Sequence, residues 1–188
     1  MERRTLLKWA TNGLGGLFAA FLGIPGVSYL FDARNRPALA GAFKPVTRLS
    51  ELTVDKPVKV IVRDIRRDAW TLHPNDVIGR VWIVRREGTN ADGTPKIEAY
   101  SSVCPHLGGS INFENKSQCF VCPLHGATFD AACHRVDEQQ LGRANPAPRD
   151  MDRLDVELKP ILGADGDFVV RVKYENFVQG KEDRIPKT

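Results

Sequence analysis

Histidine, cysteine, methionine, tryptophan and tyrosine are scarce in this chain: its 188 residues include four His, four Cys, two Met, three Trp and three Tyr. Four cysteines at this length are too few for a small disulfide-built scaffold, so the core has to be hydrophobic. No charge of one sign dominates, because 27 Lys and Arg stand against 23 Asp and Glu for a formal net charge of +4. The basic residues are interleaved with acids, as in "RDIRRD" and "VRRE". That mixing lacks the clustered basic stripe of a nucleic-acid surface and excludes nucleic acid as a partner. No repeat of solenoid length is visible, and a hydrophobic content of 42% excludes a disordered chain. One core of ordinary size with a modest appendage is what the length allows.

The one long hydrophobic run lies at the N-terminus, where "ERRTLLKW" places Arg3, Arg4 and Lys8 ahead of 23 uncharged residues, Trp9 to Phe31. Residues 1–8 resemble the start of a twin-arginine export signal, a pathway for proteins already folded around a cofactor. As a helix the run would reach about 34 Å, enough for a hydrocarbon layer of roughly 30 Å. Pro25 would kink it, and "ALA" at 38–40 offers a cleavage site before Gly41. The length of the run, and the distance of that site from it, favour an uncleaved transmembrane anchor over 9–31, with the basic end inside and the remainder across the membrane. Residues 32–45, "DARNRPALAGAFKP", read as a flexible linker.

Beyond it, strand-like segments are expected at 58–64, 79–87, 96–103, 118–122, 127–130, 154–159 and 167–177. "HPND", "TNADGTP" and "GADGD" read as turns between strands, and the tail "GKEDRIPKT" as frayed. The expectation is a mainly β, antiparallel, sandwich-like domain over 46–188.

The scarce residues gather in two corners, "CPHLGG" from Cys104 and "CPLHG" from Cys122. Together they read C-x-H-x15-C-x2-H, with one thiol and one imidazole in each. Proline and glycine shape tight loops that can turn backbone N–H groups toward a metal centre. Thiolates suit zinc and iron–sulfur clusters alike, and a zinc site recruiting Cys119 through "CFVC" stays open on ligand type alone. His73 and His134 lack a partnered Cys and read as surface residues. Cys119 and Cys133 either pair with each other or are buried thiols, the second reading being favoured.

The paired corners resemble the Rieske family, in which two Cys hold one iron of a [2Fe-2S] cluster and two His hold the other. "FENKSQCFVCPLHGATFDAACHRV" followed by "NPAPRDMDRLDVEL" is similar, in order, to the cluster-binding hairpin and proline loop of Rieske subunits in quinol-oxidising cytochrome bc complexes. The resemblance implies Cys104, His106, Cys122 and His125 as ligands, with Leu107, Gly109, Gly126, Ala127 and Phe129 around the cluster and a cluster-binding part over about 103–150. His106 and His125 would be the functional groups, because reduction makes a ligating imidazole more basic and so couples electron to proton.

The chain departs from bc-type relatives in two ways. Gly109 and Leu124 stand where a disulfide usually joins the two loops, so packing and hydrogen bonds have to hold them. Ala127 and Phe129 stand where high-potential members carry serine and tyrosine hydroxyls that donate to cluster sulfur. Their loss implies the lower part of the roughly −150 to +300 mV Rieske range, and a donor such as menaquinol. The role implied is a redox subunit of a quinol:cytochrome c oxidoreductase, not catalytic alone, with cytochrome b and c-type partners and a single-pass anchor. It would swing on the 32–45 linker toward a c-type haem. The other reading is the Rieske small subunit of a periplasmic molybdenum oxidase resembling arsenite oxidase.

Overall fold

The computed structural model describes residues 2–32, 42–68, 71–164 and 166–187. The chain divides into two units, Met1–Leu39 and Ala40–Thr188. The first carries helix α1, Arg3–Asp32, which continues through Pro25. Its 30 residues give a rod of about 45 Å at about 1.5 Å per residue. The segment Arg3–Tyr29 has a mean hydropathy of 1.3 and is long and apolar enough to cross a membrane. Most of the expected linker, residues 33–41, and the "ALA" within it lie outside the described residues.

The second unit is built from three antiparallel sheets, a mainly β, sandwich-like architecture. One sheet has the order β1 (Phe43–Arg48), β10 (Phe168–Lys173), β9 (Val156–Pro160). The next has the order β2 (Val58–Asp68), β3 (Thr71–Thr89), β4 (Pro95–Ser101), β8 (Arg153–Leu154). The third, smaller sheet is β5 (Asn112–Glu114), β6 (Cys119–Val121), β7 (Thr128–Phe129). A short helix, α2 (Glu138–Leu141), follows it and ends at left-handed Gly142.

The four consecutive buried residues Val81, Trp82, Ile83 and Val84 show why the second sheet is the centre of the unit. Side chains alternate across a strand, so Val81 and Ile83 enter the core shared with Val170 and Val172 of β10. Trp82 points the other way, into a separate core with Phe120, Phe129, Cys104 and Cys122. β4 repeats the division, with Ile97 and Ala99 in the first core and Tyr100 in the second. One sheet thus supports both the base of the domain and the small subdomain above it. In that upper core Trp82 meets Phe120 edge-on, ring centroids 5.3 Å apart, and its indole N–H donates to the Ile111 carbonyl.

Three expectations need correction. β1 begins at Phe43, so the sheet takes in residues read as the end of the linker; Pro45 is accommodated because β1 is an edge strand with a register shift after it. "HPND" lies inside β3. Ile65 alone opposes Pro74 and Asn75 between the pairs Asp64↔Asp76 and Arg66↔His73, and Asn75 takes a φ of +66°. The turn-forming residues make a bulge in a long hairpin, where a proline gives up no ladder hydrogen bond. Finally, the tail is tied down. Val178 N–H donates to Ile185 O, Lys187 N–H to Asn176 O, Phe177 is buried and the Arg184 guanidinium donates to Arg153 O.

Candidate metal centre

The echo between the two Cys-Pro corners is an echo in backbone geometry. In the first loop Cys104 N–H donates to Gly109 O at 2.7 Å and Gly108 N–H to Cys104 O at 2.9 Å. In the second, Cys122 N–H donates to Ala127 O at 2.8 Å and Gly126 N–H to Cys122 O at 2.9 Å. Gly108 and Gly126 both turn through the left-handed region, at φ +80° and +70°, which a Cβ would oppose. His occupies the third position of one loop and the fourth of the other. The two imidazoles meet edge to face, ring centroids 5.0 Å apart, with His106 half-buried and His125 exposed. Beneath them Cys104 and Cys122 are 1% and 2% exposed.

Burial pushes the Cys104 thiol up to about 11; backbone N–H groups of His106 and Leu107 donate toward its sulfur and oppose that rise, while the facing Cys122 thiol adds to it. A proton is therefore held tightly on Cys104 until a metal replaces it. Gly109 leaves no room for a side chain: a Cβ there would lie 2.6 Å from Leu124 Cδ1 and 2.9 Å from Cys122 Sγ. Gly109 and Leu124 thus face one another, and the leucine fills the space between the loops. Two thiols, two imidazoles and inward amides are a donor set that fits a binuclear iron–sulfur group. Among the described residues no three or more His, Cys, Asp or Glu side chains gather on one ion, and a two-iron cluster takes its ligands in pairs.

A family model for the Rieske [2Fe-2S] domain matches residues 45–149. The chain belongs to this family. Its cofactor is the [2Fe-2S] cluster that Rieske domains hold, and the fold described above is the Rieske fold. The chain is 25% identical over 162 residues, 85% of its length and 87% of the relative's, to the menaquinol:cytochrome c reductase iron-sulfur subunit of Geobacillus thermodenitrificans. It is 26% identical over 133 residues, covering 69% and 74% of the two chains, to the subunit of the same name from Bacillus subtilis (strain 168). The crystal structure of a cyanobacterial plasma membrane Rieske protein from Synechocystis PCC 6803 is 27% identical, covering 53% of this chain and 83% of that one, with a TM-score of 0.33.

Residues outside the Rieske motif hold the loops in place. Asn145, buried in the proline loop, donates through Nδ2 to the carbonyls of Thr128 and Val136. Its Oδ1 accepts from the amides of Thr128 and Ala147. Arg143 donates to Gly126 O at 2.6 Å, and the Thr128 hydroxyl spends its proton on the same carbonyl. Ala127 and Phe129 are fully buried and bring no hydroxyl. Lys59, on β2, ties the base to the first loop through Ser110 Oγ and Ile111 O. Of these, only "NPAP" was conspicuous in the sequence; Arg143 and Lys59 carried no spacing signal.

The remaining His and Cys are elsewhere. His73 is half-buried in the β2–β3 hairpin, and His134 is exposed with Nδ1 3.8 Å from Asp130. Cys119 and Cys133 are free thiols. Cys133 is buried as expected; Cys119 is only half-buried, because in β6 Phe120 takes the inward position and sends its neighbours outward. Burial pushes the Cys133 thiol up to about 12. On brief alkylation of the native, cluster-loaded protein, Cys119 is therefore expected to label first and Cys133 only after unfolding, which peptide mass mapping would read. Labelling in the reverse order would contradict the burial of Cys133.

Proposed function

We propose that Cys104 and Cys122 bind one iron and His106 and His125 the other, and that the chain is the electron-transfer subunit of a membrane quinol:cytochrome c oxidoreductase. The observation that carries the reading is the pair of equivalently closed loops that bring two imidazoles together over two buried thiols. The anchor-length helix α1 and the relatives named menaquinol:cytochrome c reductase subunits support the membrane complex. With Arg3, Arg4 and Lys8 retained inside, the cluster-bearing unit faces the outer side of the bacterial cytoplasmic membrane. Cytochrome b and a c-type cytochrome are its partners.

The bound cluster supplies one-electron exchange. The chain supplies the rest: His106 and His125 present their outer ring nitrogens to a quinol hydroxyl and can hold its proton. Leu107 and Leu124, each 63% exposed, offer an apolar rim against which a quinone ring can lie. Cys104 and Cys122 stay dry beneath. With a cluster bound, His106 and His125 would hold a proton more tightly in its reduced state, which would couple proton uptake to electron uptake.

An EPR-monitored redox titration of the full chain in detergent, repeated across pH, tests the reading. A mixed-ligand [2Fe-2S] signal with a low midpoint that falls as pH rises is expected; a midpoint near the top of the Rieske range would remove the case for menaquinol. Co-purifying b and c haems would support the complex, and a molybdenum subunit would favour the alternative relay role, which the absence of an inter-loop disulfide leaves open. Introducing the missing hydroxyls provides a further check. Ala127→Ser and Phe129→Tyr are each expected to raise the midpoint by about 60 mV, the equivalent of roughly 1.4 kcal/mol for one charge-assisted hydrogen bond. Unchanged midpoints in both would show that these positions do not set the potential.

A further inference from the structure

We propose that the C-terminal loop around Gly180 tunes the cluster through the Pro105–His106 peptide. The proposal rests on the assignment of Cys104 as an iron ligand. Gly180 N–H donates to Pro105 O at 2.8 Å. The other end of that same peptide unit is the His106 N–H, which donates toward Cys104 Sγ. A hydrogen bond accepted by a carbonyl polarises its peptide and strengthens the N–H as a donor, since hydrogen bonds in a chain reinforce one another where the dielectric is low. The tail amide therefore reaches the sulfur without touching it.

The placement of Gly180 is built, not incidental. Gly180 sits at φ +71°, in the left-handed region that glycine adopts without strain. Arg149 fixes the segment from below. Its guanidinium, 10% exposed, pairs with Asp152, 5% exposed. It then donates to the carbonyls of Lys181 and Val178 on either side of Gly180. The tail segment itself, Val178 to Lys181, lies beyond the matched Rieske segment, which ends at residue 149. Gly180 is in these terms a positioning residue: it acts on the cluster's Cys104 end through another group.

Stronger donors to a ligating sulfur stabilise the more electron-rich reduced state. Ending the chain after Val178 removes the Gly180 amide, and the midpoint of the full-length protein so shortened is expected to fall. The shift expected is about threefold in the reduction equilibrium, about 30 mV at 59 mV per tenfold for one electron. Arg149→Lys, which frees the tail carbonyls while keeping a cation beside Asp152, should shift it the same way by less. Gln179→Ala keeps the amide and should leave the midpoint unchanged. Resonance Raman spectra should show Fe–S(Cys) bands of the shortened chain moving up and losing sensitivity to heavy water. If the native chain shows the mixed-ligand signal and both the shortened chain and Arg149→Lys keep its midpoint and Raman bands, the relay is wrong while the ligand assignment stands. If the native chain shows no such signal, the ligand assignment fails and the relay with it. If the shortened chain does not fold, the Arg149→Lys midpoint and Raman bands decide.

Discussion

Cys122→Ala is expected to leave a folded, iron-free protein. Iron should drop from about two atoms per chain to none, with loss of the visible iron–sulfur absorption and of the mixed-ligand EPR signal. The base of the domain should survive, because its core of Val62, Val81, Ile83, Val170 and Val172 is separate from the one that contains Cys122. The upper subdomain should loosen, since metal binding contributes directly to the order of the loops that supply the ligands. Tryptophan emission from Trp82, packed against Phe120 and Phe113, would report that loosening locally once Trp9 and Trp70 are replaced by phenylalanine. His125→Ala should give the same loss of signal while leaving both thiols available. Retention of a full iron complement by either variant would break the two-and-two ligand assignment, and zinc in place of iron in the native protein would revive the structural-zinc reading.

What could be read from the sequence, and what could not, follows from the range over which each feature is determined. The Cys-Pro corners were legible because tight turns are decided locally: proline fixes a backbone angle, glycine permits the left-handed one, and both loops close on themselves within six residues. The long strands were legible because short runs of β-branched and aromatic residues, as in "VWIV" and "FVVRV", are a local signal too. Position 45 was not, since whether a proline ends a linker or sits on an edge strand depends on β10, more than 120 residues away. "HPND" has strong turn chemistry, yet the pairing on both sides of it overrode that preference and kept it as a bulge. The tail is the clearest case. "GKEDRIPKT" has little apolar content, and its order comes from Arg149, Arg153 and Pro105, none of them near in sequence. The replacement for the inter-loop disulfide was foreseen only in kind. Packing does hold the loops, but that Leu124 would fill the space over Gly109 required the positions of both.

Asp152→Ala is expected to be the most destabilising surface-to-core charge deletion in the cluster-bearing unit. Asp152 accepts two hydrogen bonds from Arg149, at 2.8 and 2.9 Å, and both side chains are almost fully withdrawn from water. Removing one member of such a pair leaves a buried charge uncompensated, at a cost of about 3–5 kcal/mol. For a domain of this size that corresponds to roughly 10 °C in Tm, readable in a thermal melt followed by circular dichroism. The double variant Arg149→Met with Asp152→Leu should recover much of the loss, because replacing a buried ion pair by well-packed apolar groups is often close to neutral. The recovery should be incomplete here. Arg149 also donates to the carbonyls of Val178 and Lys181, and methionine leaves both without that donor, so the tail would loosen over the first cluster loop even where the core is repaired. A single variant that melts within about a degree of the native protein would mean that the pair is screened by water and does not anchor the tail. A double variant that regains stability without regaining the native midpoint potential would separate the two roles of Arg149, one in holding the fold together and the other in placing the Gly180 amide against Pro105.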